Sequence, residues 1–157
     1  MDAISEERLS LVLPGLADKI RTMAEMLSLE GIEIRVTQGL RTWAEQAALY
    51  AQGRTAPGSV VTNAQPGYSW HNFGLAVDVA PFDGGVPEWN TSQPAWGRII
   101  AIGESLGLFS GDEFHAIKDE PHFQLTGQLP VSPDDSVRAE FQSGGIEAVW
   151  TSTLLDA

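Results

Sequence analysis

Two short stretches hold most of the side chains able to bind a metal or move a proton. Ser69-Trp70-His71-Asn72-Phe73-Gly74-Leu75-Ala76-Val77-Asp78 places a histidine seven residues before a carboxylate. Asp119-Glu120-Pro121-His122-Phe123-Gln124-Leu125 holds a second histidine behind two acids. Two imidazoles and one carboxylate match, in number and type, the protein donors of a catalytic zinc site, which keeps a fourth position for water. An acid beside such a site can take the proton from that water, and Asp119 and Glu120 are both in range. The same residues admit a plainer account: a buried Asp78 satisfied by backbone donors, a surface His71, and a His122 unrelated to either.

These side chains need elements to aim them. A strand over 75–80 would put Ala76, Asp78 and Ala80 on one face and Leu75, Val77 and Val79 on the other. The aliphatic face reads as core, and the carboxylate is left in a recess walled by two alanines. The seven-residue offset points His71 away from Asp78 unless Gly74 bends the chain. A short strand over 123–125 would turn Phe123 and Leu125 to the core, with His122 and Gln124 sharing the opposite face. On an extended chain Glu120, not Asp119, joins that face, but Pro121 allows a turn that breaks the parity.

Leu16, Ile20, Met23 and Leu27 recur at helical spacing between Pro14 and Gly31. Ile32, Ile34 and Val36 alternate with polar residues, as in a half-buried strand. Thr42 and Glu45 form a capping box for a helix running to about Gln52 and ending at Gly53. Residues 55–77 contain no Asp, Glu, Lys or Arg and read as a folded loop feeding a strand. A third helix is predicted from about Pro94 to Gly107. A last one starts at Ser132-Pro133-Asp134-Asp135, with Pro133 at its first position, and packs Phe141, Ile146, Val149 and Trp150 against the rest. The order of elements predicts an α+β fold with a small antiparallel sheet flanked by helices.

Composition narrows the function classes. Acids outnumber Lys and Arg 21 to 9, most lopsidedly over 104–157, where ten acids face Lys118 and Arg138. A broad basic nucleic-acid surface is excluded. With no cysteine, so are disulfides, thiolate metal sites and cysteine nucleophiles. No apolar run approaches the roughly 18 residues of a membrane span. The acidic start, Met1 to Glu7, lacks the pattern of a signal peptide.

The first stretch resembles the S-x-H-x-x-G-x-A-x-D signature of the D-alanyl-D-alanine carboxypeptidase and L-alanyl-D-glutamate endopeptidase family of bacterial cell-wall zinc peptidases, which includes phage endolysins. The likeness runs through Gly39-Leu40-Arg41-Thr42, Glu45-Gln46, Leu49-Tyr50, Gln52-Gly53-Arg54-Thr55, Pro57-Gly58, Thr62 and Pro66-Gly67. It resumes after the signature at Gly111-Asp112 and Pro121-His122-Phe123, spanning about 30–127; the expectation is a single catalytic domain over 1–157 with no separate wall-binding domain.

The resemblance implies one zinc ion per chain, held by His71, Asp78 and His122 on the open face of the sheet. It implies Asp119, three residues before the last histidine, as the catalytic acid and base. Arg41 resembles the family arginine that steadies a substrate carbonyl or carboxylate, and Gln46 and Ser69 are further candidate substrate contacts. Many relatives follow the Gly-Asp pair with a tryptophan. Here Glu113-Phe114 stands there, which alters the expected pocket wall, and His115 is expected at the surface or rim. The implied substrate is the peptidoglycan stem peptide, cut at L-alanyl-D-glutamate by likeness of the Gln46 to Gly58 spacing to the endopeptidase branch. Carboxypeptidase action on D-alanyl-D-alanine is the alternative, as is a non-enzymatic zinc module such as the similar hedgehog domains. The expected enzyme is a monomer without nucleic-acid or membrane partners, made in the cytoplasm and acting on the wall after release.

Overall fold

The computed structural model describes residues 1–114 and 118–155. In chain order the elements are α1 (Ala3–Leu9), α2 (Pro14–Leu29), β1 (Ile34–Gln38), α3 (Trp43–Ala51), a 3₁₀ turn (Trp70–Phe73), β2 (Ala76–Asp83), β3 (Val86–Pro87), α4 (Pro94–Ser105), β4 (Phe109–Ser110), a second 3₁₀ turn (Gly111–Glu113), β5 (His122–Gln124) and α5 (Asp135–Leu155). The α+β expectation with an antiparallel sheet holds. The chain divides into two compact units, Met1–Gly39 with Ala76–Leu125, and Leu40–Leu75 with Thr126–Ala157.

The first unit carries the whole sheet, ordered β1-β2-β5-β4 with β3 paired to β2, all antiparallel. Alternation decides its two faces. Val77, Val79 and Phe123 are fully buried on the face that meets α4, while α2 lays its stripe of Leu16, Ile20, Met23 and Leu27, each 0% exposed, into the same core. Large apolar groups at this spacing each contribute about 1.5–3 kcal/mol on burial. Gly103 of α4 lets the helix approach closely: a Cβ there would fall 2.3 Å from the Phe123 ring. On β1, Ser5 Oγ accepts from the Val36 N–H at 3.0 Å, and the Arg8 guanidinium donates to the Val36 carbonyl at 2.6 Å.

The second unit is built on aromatic rings. Trp43 stacks on Phe141 at 5.6 Å between centroids, and Phe73 meets both rings edge-on. Trp150 Nε1 donates to the Phe73 carbonyl and Trp70 Nε1 to that of Val131. The expected capping box of α3 is present, with Thr42 Oγ1 accepting from the Glu45 N–H and the Glu45 carboxylate accepting from the Thr42 N–H. Val149 is fully buried on α5, and Phe141, Ile146 and Trp150 are half-buried.

Several expected boundaries shift. β2 starts at Ala76, one residue later than expected, and runs on to Asp83, because Pro81 still pairs with Ile34 across the ladder. β5 begins at His122, one residue early, and stops at Gln124. Pro133 is not the first residue of α5: the Asp134 carboxylate accepts from the Val137 N–H and caps the helix, so Pro133 lies outside it. α1, short and lacking an apolar stripe of its own, is absent from the periodicity and is set by Asp2, whose side chain accepts from the Ser5 N–H.

Candidate metal centre

Asp78 and His122 are placed by strand pairing. They sit directly opposite each other on β2 and β5, with Val77 opposite Phe123 and Ala76 opposite Gln124. The aliphatic neighbours are committed to the core, so the carboxylate and the imidazole must share the other face. His122 Nδ1 lies 3.4 Å from Asp78 Oδ1, and its Nε2 lies 3.0 Å from Gln124 Oε1. His122 is 6% exposed. Burial alone would push its imidazole down. The hydrogen bond and charge of Asp78, followed by the Gln124 hydrogen bond and the Asp119 charge, outweigh this and hold it above its ordinary value. This environment favours positive charge.

His71 is not on a strand, so the parity objection to it does not apply. It lies in the Trp70–Phe73 turn, 3% exposed, and Gly74 closes that turn in the left-handed region at φ 64°. The turn is tied down from both sides. The Arg41 N–H donates to the His71 carbonyl at 2.9 Å, and the Asn72 side chain bridges the Arg41 carbonyl and the Gly67 N–H. His71 is thus buried in the turn that leads into β2, seven residues ahead of Asp78, which faces His122 across the ladder. The plainer account with a surface His71 fails on its burial. The donor set, two neutral-capable imidazoles and a carboxylate, is of the type that binds zinc.

The acids before His122 are separated by a turn. The His122 N–H donates to the Asp119 carbonyl and the Asp119 N–H to the Gly111 carbonyl, each at 3.0 Å. The chain is therefore not extended across Pro121, and alternation gives Glu120 no claim to the His122 face. The Asp119 charge is among those that raise His122, whereas that of Glu120 acts on Lys118. Phe114, of the Glu113-Phe114 pair that stands where a tryptophan was expected, sets its ring 5.4 Å from that of His122. His115 lies outside the described residues.

Arg41 Nη1 donates to Gln46 Oε1 at 2.9 Å, and Gln46, wholly buried, donates in turn to the Ala64 carbonyl. Ser69 is half-buried at the start of the His71 turn, its carbonyl accepting from the Asn72 N–H. Sequence reasoning missed Asn72 as the strut of the turn, although an amide next to a candidate ligand in a charge-free segment was a usable signal. It also paired Gln124 with His122 on one face without giving Gln124 a role.

Residues 10–108 match the VanY family, described as D-alanyl-D-alanine carboxypeptidase. The chain belongs to this family. The match takes in His71 and Asp78 and ends ahead of His122. Over 104 residues this VanY-family chain is 38% identical to the peptidoglycan L-alanyl-D-glutamate endopeptidase CwlK of Bacillus subtilis (strain 168), covering 61% of this chain and 62% of that protein. It thus spans less than two thirds of that relative's length. The crystal structure of the L-Ala D-Glu endopeptidase ChiX of Serratia marcescens superposes with a TM-score of 0.59 at 32% identity, over 80% of this chain and 89% of that one. The L,D-carboxypeptidase DacB from Streptococcus pneumonia shares the fold, with a TM-score of 0.54 at 24% identity over 72% and 65% of the two chains. Among the described residues, no helix is long and apolar enough to cross a membrane.

Proposed function

We propose that this VanY-family protein is a zinc-dependent peptidase that hydrolyses an amide bond of the peptidoglycan stem peptide, the bond between L-alanine and D-glutamate. The observation that carries the reading is Asp78 and His122 facing each other across β2 and β5, with His71 buried in the turn ahead of β2. The names of CwlK and ChiX support the choice of bond. In this reading His71, Asp78 and His122 hold one zinc ion. When bound, zinc supplies Lewis acidity, lowering the pKa of water towards ~7 and polarising a carbonyl.

The chain's own groups do the rest. The Asp119 carboxylate accepts the proton of the attacking water and delivers it to the departing amine nitrogen. The guanidinium of Arg41, whose backbone is bonded to His71 and whose Nη1 is held by Gln46, binds the carbonyl or carboxylate oxygen of the substrate. Gln46 and Ser69 serve the substrate side, Gln46 by fixing Arg41. The family description favours one competing bond, D-alanyl-D-alanine.

Digestion of purified peptidoglycan, with and without chelator, tests the reading. Chelator-sensitive release of new amino-terminal glutamate, identified by mass, is expected. Release of free D-alanine instead would make the protein a carboxypeptidase, and zinc uptake without turnover would make it a binding module.

A further inference from the structure

The two ring nitrogens of His122 have different neighbours. Nδ1 faces Asp78 Oδ1 at 3.4 Å, and Nε2 faces Gln124 Oε1 at 3.0 Å. Both oxygens accept, but the Gln124 contact at 3.0 Å has ordinary hydrogen-bond length and the Asp78 contact at 3.4 Å is long, which favours the hydrogen at Nε2. Neutral imidazole has one N–H. With that hydrogen at Nε2, the lone pair is at Nδ1, on the side of Asp78.

Gln124 is built to stay there. It is 2% exposed and two residues beyond His122, so both side chains leave the same face of β5. Its backbone is paired on both sides, to Ala76 of β2 and to Phe109 of β4. A buried amide on a doubly paired strand has little freedom to turn away.

We propose that Gln124 is a positioning residue of the metal centre: its Oε1 fixes the proton on His122 Nε2 and so presents the Nδ1 lone pair, beside Asp78, to the metal. This rests on the zinc reading of His71, Asp78 and His122. An acceptor on the far nitrogen sets both the tautomer and the ring orientation of a ligating histidine, and loss of such a partner typically weakens metal binding 10–100-fold.

Two measurements test it. Nitrogen-15 imidazole spectra of the metal-free wild type, taken where the rings are neutral and assigned by the signals lost in His122→Ala, should show a protonated Nε2 and a bare Nδ1. Zinc titration against a competing chromophoric chelator should saturate at one equivalent in the wild type. Gln124→Met, which keeps the volume and deletes the acceptor, should bind about 10–100-fold more weakly, and Gln124→Glu, which keeps an acceptor, should restore binding. Wild type that takes up no zinc defeats the zinc reading and this inference with it. Zinc uptake by wild type with equal affinity in Gln124→Met, or an Nδ1–H tautomer in the metal-free chain, overturns the role of Gln124 and leaves the zinc reading intact. Should Gln124→Met fail to fold, the wild-type tautomer decides.

Discussion

Gly111 has no functional group, yet replacing it by alanine should disable the site. A Cβ at this position would lie 2.3 Å from the Asp119 carbonyl oxygen and 2.9 Å from His122 Cβ. Its φ is not in the left-handed region, so alanine meets no backbone strain and the cost is steric alone. Ordinary contact requires a shift of roughly 1 Å. The struck carbonyl accepts from the His122 N–H, and the Gly111 carbonyl accepts from the Asp119 N–H; the shift therefore strains both bonds. Overpacking of about 1–3 kcal/mol and weakened bonds worth about 1 kcal/mol each predict a loss of about 2–4 kcal/mol in stability. A displacement of this size at the proposed acid and the proposed ligand should also lower kcat/KM about 10²-fold. Urea unfolding and peptidoglycan digestion measure the two effects. Gly97 on α4, exposed and with nothing within 4 Å of its Cβ position, is the control: Gly97→Ala should stabilise by roughly 0.5–1 kcal/mol and leave activity unchanged. Parent-like stability and turnover in Gly111→Ala would refute the reasoning that this glycine seats Asp119 and His122.

Asp119→Asn should leave zinc stoichiometry intact while lowering kcat by about 10²–10⁴-fold, the range for a lost general base, and Glu120→Gln should cost far less; the opposite ranking in steady-state assays would transfer the role to Glu120. Because His122 is held above its ordinary value of 6.5, its protonated ring stabilises the metal-free fold below the unfolded pKa, and this contribution disappears as pH rises through the folded pKa. Thermal unfolding of metal-free wild type against His122→Ala across that window should show their difference shrinking toward alkaline pH. Protons and zinc compete for the same ring, so zinc affinity in equilibrium titrations should fall as the solution is acidified. Thr42→Ala removes the side-chain half of the α3 capping box and should cost about 1 kcal/mol in denaturant unfolding, with no change in zinc stoichiometry.

The sequence was legible where a residue type has one physical use. The stripe from Leu16 to Leu27, the Thr42–Glu45 box and the alternation around Asp78 each reappear in the structure. It misled where local parity was extended across a turn. His71 and Asp119 both lie outside the strands that were used to judge their direction, one in a 3₁₀ turn and one in a hydrogen-bonded turn before β5. Alternation carries no information there. The resemblance singles out both residues, but only the backbone hydrogen bonds explain why the turns form. Gln46, wholly buried, could not be told from a surface amide by its helical position, because its environment comes from the loop that supplies the Ala64 carbonyl.

β5 is three residues long, and the middle one, Phe123, points into the core against Gly103. His122 and Gln124 thus flank a single wedge driven in from behind. Such a short segment cannot average out local disturbance, so under the proposed activity a change of volume on the hidden side of the sheet would register as altered hydrolysis before it registered as unfolding. If the proposed cleavage holds, random mutagenesis selecting for changed cleavage should therefore yield substitutions in α4, on the face of the sheet opposite His122 and Gln124. For an evolving lineage the inside of that helix is a tuning screw, adjustable without touching a reactive group.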